Sequence, residues 1–140
     1  MAETGRGLQS GLLAGLISAA FAVPCCVGMS EAQRIRPPGS IQCPRNNLTA
    51  FTGNILLYSR QTGQTKIRMH TDEDTTETFV LRHTGSDDPS KWFLLKASPF
   101  KNEDWPAIES KKGRLLSKMR ATVWVCDDKR NPIVDWQPPQ

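Results

Sequence analysis

The run Arg120-Ala121-Thr122-Val123-Trp124-Val125-Cys126 constrains the fold more than any other stretch of this chain. β-Branched and aromatic residues dominate it, and these suit a pleated, packed surface better than a helix. Alternation puts Thr122, Trp124 and Cys126 on one face and Ala121, Val123 and Val125 on the other. Both faces are largely apolar, so the pattern predicts a central strand covered on both sides. Ile133-Val134-Asp135-Trp136 follows after a polar tip at residues 127–132, and the two runs read as a closing hairpin. Pro138 and Pro139 cannot donate to a ladder, so the last strand should stop near Trp136 and leave 137–140 as a tail.

Cys126 needs a partner, and the N-terminus decides which of the other cysteines is available. Residues 7–30 carry no charge, and Gly11 to Val23 is an apolar core of signal-peptide length. That core is too short to cross a bilayer interior of about 30 Å. Pro24 ends any helix there, and Ser30-Glu31-Ala32 offers a small-x-small cleavage site. The expectation is a cleaved signal peptide at 1–32 and a secreted or periplasmic protein. The alternatives are a membrane anchor through residues 7–30 and a lipoprotein acylated at Cys25. Cleavage would remove Cys25 and Cys26 and leave Cys43 and Cys126 to form one disulfide, as is usual in exported small domains. Closing a loop of about 80 residues is worth roughly 4 kcal/mol in the chain-entropy model.

The body then divides into an extended leader at 33–47, rich in arginine and proline, and a single domain at 48–136. Residues 48–59 read as a long strand, with Gly53 marking a bulge or bend. Residues 61–63 form a turn. Thr65-Lys66-Ile67-Arg68-Met69-His70 alternates strictly, with Thr65, Ile67 and Met69 on one face and Lys66, Arg68 and His70 on the other. An acidic turn at 71–74 leads to a third strand at 75–83, centred on Phe79, Val80 and Leu81. Residues 84–91 are a polar loop, and Trp92-Phe93-Leu94-Leu95 is too brief to classify by period. Asn102 can cap a helix running to Lys111 or Lys112, with acids in its first turn and Gly113 as its stop.

Three strands, a helix and two strands, with the first strand bent, resemble the OB-fold arrangement across 48–136. The fold class expected is mainly β, an OB-like β-barrel, with a small α+β sheet domain as the alternative. Secreted bacterial toxin B subunits are similar in size, disulfide and fold. The resemblance implies a ligand face on the second and third strands, flanked by the loops at 60–64 and 127–131. The residues it singles out are Tyr58, Arg60, Lys66, Arg68, His70, Lys129 and Arg130.

The chemistry is otherwise sparse. An excess of Lys and Arg over acids gives a net charge of +4, which permits anionic partners. Asp72, Asp74 and Glu77 offer oxygens for a hard cation but lack the spacing and glycine of an EF-hand loop. There are only two histidines, no C-x-x-C and no glycine-rich phosphate loop. Serine-hydrolase and zinc-protease motifs are absent from the sequence too, so no catalytic residue and no cofactor is assigned. The sequence therefore reads as an exported, non-catalytic binding module for a protein or glycan partner. The alternatives are a single-stranded nucleic-acid-binding module, against which export argues, and a small metal-assisted secreted hydrolase. Membrane contact is expected only through an uncleaved N-terminus.

Overall fold

The computed structural model describes residues 36–140, together with Gly15. The chain divides after Gln33, and the elements below lie in the unit Arg34–Gln140. The expected signal segment, its cleavage site, Cys25 and Cys26 fall outside the described residues. Among the described residues, no helix is long and apolar enough to cross a membrane.

The domain is mainly β. It opens with β1 (Leu48–Gln61), β2 (Gly63–Thr71) and β3 (Thr76–His83). Short strands β4 (Phe93–Leu95) and β5 (Ser98–Pro99) follow, then a helical turn α1 (Trp105–Ile108). A small hairpin of β6 (Glu109–Lys111) and β7 (Arg114–Leu115) leads to the closing pair β8 (Arg120–Cys126) and β9 (Ile133–Gln137). Seven of these strands form one mixed sheet in the order β3-β2-β1-β8-β9-β4-β5. Every pairing in it is antiparallel except β4 with β9.

β1 is shared between two ladders. Its first half pairs with β8 and its second half with β2, and Gly53 and Asn54 belong to both. Gly53 sits where β1 passes close to the backbone of β2: a Cβ there would lie 2.0 Å from the His70 carbonyl oxygen. The bulge expected at Gly53 comes slightly later, where the register with β2 slips between Ile55 and Leu57. The partner switch and the bulge together bend the strand.

Curling brings the inner faces together. Ile67, Met69, Leu81, Val123, Val134 and Trp136 are fully buried in one cluster, with Phe79 and Phe93 packed among them. Tyr58 of β1 meets Trp136 of β9 edge-on at 5.8 Å, although β8 lies between their strands in the ladder. Full burial of each large apolar side chain contributes roughly 1.5–3 kcal/mol. β8 is central, as the sequence suggested, with both faces largely buried. Cys126 at its end is bonded to Cys43 of the leader, with an S–S length of 2.05 Å and Cα atoms 6.1 Å apart.

The helix is shorter than the sequence pattern implied. A 3-10 turn at Asn102–Asp104 precedes α1, which ends at Ile108, and Glu109 begins β6. Pro106 is accommodated because it lies in the first turn, where its missing N–H is not needed. Ile108 is drawn into the core and Glu109 to Arg60, so the backbone leaves the helical path there. Gly113, with φ 81°, turns the β6–β7 hairpin instead of ending a helix. Of the apolar run at 92–95, Trp92 closes a 3-10 turn, Ser90–Trp92, and Phe93–Leu95 form strand β4, which pairs with β9.

Candidate functional site

Alternation along β2 leaves Lys66 and Arg68 exposed and His70 half-buried on the outer face, while Thr65, Ile67 and Met69 are buried. Directly opposite Lys66 stand Ser59 and Val80; opposite Arg68 stand Leu57 and Thr78. Arg82, opposite Gln64, is exposed and extends the same face by one more cation. Sequence reasoning passed over Arg82, although Phe79 and Leu81 facing inward already place residue 82 outward. The one carboxylate contact of this face among the described residues is His70 Nε2 with Asp74 Oδ1 at 3.2 Å. Lys66, Arg68 and Arg82 therefore present positive charge without a described acid to neutralise it.

Tyr58 and Arg60 do not join this stripe. They stand opposite Ile67 and Thr65, both buried on the inner face. The cause is the bulge: Leu56 is an extra residue, so the phase of β1 inverts after it and Leu57 and Ser59 turn outward instead.

Facing inward, Arg60 and Tyr58 build a polar cluster. The Arg60 guanidinium reaches Glu109 Oε1 at 2.7 Å and donates through Nε to the Asp87 carbonyl at 2.7 Å. It also lies 3.9 Å from the centre of the Trp105 ring. Glu109 Oε2 accepts from the Tyr58 hydroxyl at 2.9 Å and from the Gly113 N–H at 3.0 Å. The Arg60 and Glu109 side chains are only 9% and 4% exposed, so the pair is desolvated and depends on these further bonds. Burial raises the Tyr58 phenol well above its usual range, and the Glu109 charge and hydrogen bond push it further. An adjoining cleft of about 400 Å³ is lined by Trp105, Pro106, Ser110, Lys111 and Lys112. Glu109 is held by three donors, so it acts as a clip between β1 and the β6–β7 hairpin rather than as a free base.

The β8–β9 loop carries the remaining candidates. Lys129 is exposed with φ 63°. Arg130 is occupied: it pairs with Asp128, whose carboxyl it holds below the usual range, and it donates to the Gln42 carbonyl of the leader. Asn131 bonds both backbone groups of Arg82, which fixes the loop against the free edge of β3. Lys66, Arg68 and Arg82 thus share the outer face of the sheet, while Tyr58 and Arg60 serve the interior.

The acidic candidates do not converge. Asp72 pairs with Arg120 at 2.6 Å, Asp74 faces His70, and no group of three potential metal ligands exists among the described residues. His83 is buried and committed elsewhere: its Nδ1 donates to the Ser86 carbonyl at 2.6 Å and its Nε2 meets the Thr65 hydroxyl at 2.8 Å.

No protein-family model, no curated protein and no solved structure matches this chain.

Proposed function

We propose that this chain is an exported, non-catalytic binding module that recognises a protein or glycan partner through the outer face of β2 and β3. The observation that carries this reading is the strip of Lys66, Arg68 and Arg82, which faces solvent with no described acid across from it. It is a sheet face rather than a cleft, and such a surface suits an extended acidic partner better than a small ligand.

The OB-type barrel belongs to the same proposal. β1, β2 and β3 form a meander, β8 and β9 a hairpin, and β4 lies parallel to β9. Asn131 bridges β3 to the β8–β9 loop where no ladder runs. In an OB-fold this face and this loop hold the ligand. The Cys43–Cys126 bond supports an oxidising, exported location.

The nucleic-acid alternative is weakened by the inward turn of Tyr58, because single-stranded bases bind by stacking on exposed aromatic rings. The metal-hydrolase alternative loses Asp72 to Arg120. Binding isotherms for a sulfated polysaccharide, an acidic protein and single-stranded DNA, each over a salt series, separate the readings. Salt-sensitive binding of the glycan or protein, tighter than that of the DNA, is the expected result. No binding to any of the three at low salt, or a preference for DNA, would overturn it.

A further inference from the structure

We propose a second binding site, for a small organic anion, between the leader and the outer face of β1 and β8. A cavity of about 660 Å³ opens there, lined by Arg36, Arg45, Asn46, Leu48, Ala50 and Trp124. It lies on the opposite face of β8 from the core: Trp124 shares its side of the strand with Thr122 and Cys126, and none of these three belongs to the core cluster. The Cys43–Cys126 bond and the 3-10 turn Arg45–Asn47 tie the leader over this face, so Arg45 and Asn46 are held beside it.

The lining is rich in donors and poor in acceptors. Trp124 is only 4% exposed, and its indole N–H is buried without a hydrogen-bond partner. The Trp124 ring forms part of the cavity wall, so an anion seated there would be felt at its indole group. Arg36 and Arg45 pair with no carboxylate among the described residues. Guanidinium forks match the paired oxygens of a carboxylate, phosphate or sulfate group. Leu48, Ala50 and the Trp124 ring supply an apolar wall for the body that carries such a group. This site shares no residue with the β2–β3 face, so either can fail without the other.

The test uses the whole ¹⁵N-labelled chain with its disulfide intact. Inorganic sulfate, inorganic phosphate and benzoate are titrated separately at constant ionic strength, and the Trp124 indole N–H resonance is followed. That resonance is assigned by its loss in Trp124→Phe. The site predicts a saturable shift with at least one of the three, with apparent affinity at least tenfold weaker in Arg36→Gln/Arg45→Gln and unchanged in Lys66→Glu/Arg68→Glu. The other indole resonances report whether each variant keeps its fold. No saturable shift with any anion, or an equal response in a folded Arg36→Gln/Arg45→Gln variant, would overturn the site.

Discussion

The Asn131 carboxamide accepts from the Arg82 N–H at 2.9 Å and donates to the Arg82 carbonyl at 2.7 Å. One side chain thus does for an edge-strand residue what a neighbouring strand would do through its backbone. The contact joins the β8–β9 loop to β3. Asn131→Asp keeps the acceptor but places a carboxylate against the Arg82 carbonyl. Loss of the donor and this repulsion should lower stability by about 1 kcal/mol. Denaturant midpoints at unchanged m-value would show it, and amide exchange at Arg82 should speed up in the same variant.

The Arg60–Glu109–Tyr58 cluster predicts a larger effect. Removing one partner of a buried ion pair strands the other, so Glu109→Ala should destabilise the fold by about 3 kcal/mol. Tyr58 is the only tyrosine, so its ionisation can be read directly from tyrosinate absorbance. Its pKa is raised in the folded state, which favours the neutral phenol there. The unfolded chain releases this proton near pH 10, so stability should fall as pH rises above that value. Tyrosinate absorbance in the native protein should therefore grow only along with alkaline unfolding. A phenol titrating near pH 10 in a still-folded protein would contradict the cluster.

Asp135 gives a pH dependence at the acid end. Its side chain is buried on the outer face of β9 under the β4–β5 turn, and its Oδ1 accepts from the Ala97 N–H at 2.9 Å. Burial raises its pKa, and the Ala97 hydrogen bond only partly offsets this. The folded state therefore holds this proton more tightly than the unfolded chain. Its contribution to stability falls as pH rises from the ordinary aspartate range through the raised folded value, and the loss is complete above it. Asp135→Asn keeps an oxygen for Ala97 and removes the charge. The variant should be more stable than the parent at neutral pH, and the gap should close towards pH 3 in thermal melts.

The Cys43–Cys126 bond closes most of the domain into one covalent loop. Cys43→Ser/Cys126→Ser should lose roughly 4 kcal/mol through the greater entropy of the unfolded chain. Denaturant unfolding of parent and variant under non-reducing conditions measures this, and equal stabilities would contradict the expectation.

Much of this was legible where period-two contrast is sharp. In residues 65–70 small or apolar side chains alternate with long polar ones, and burial follows that alternation residue by residue. β8 was readable because both its faces are apolar. The bulge in β1 was not: Ile55, Leu56 and Leu57 are equally apolar, so nothing local marks which one is the extra residue. That single uncertainty moved Tyr58 and Arg60 from the outer face to the interior. The helix was over-read because its end depends on Glu109 meeting Arg60, a contact far away in sequence. β4 was undecidable for the same reason, since its strand character comes from pairing with β9. The apolar run, the cysteine pair and the alternations are local or pairwise signals. Phase and helix length here are tertiary ones.

The central claim is recognition through Lys66, Arg68 and Arg82. Its most direct test is the affinity of the triple variant Lys66→Glu/Arg68→Glu/Arg82→Glu, beside the parent, for the sulfated polysaccharide at fixed moderate salt. These side chains are exposed, so the fold should survive, and an unchanged melting transition would verify that. The basic-face account predicts at least a tenfold loss of affinity and a shallower salt dependence in the variant. Equal affinity and equal salt dependence in parent and variant would contradict it.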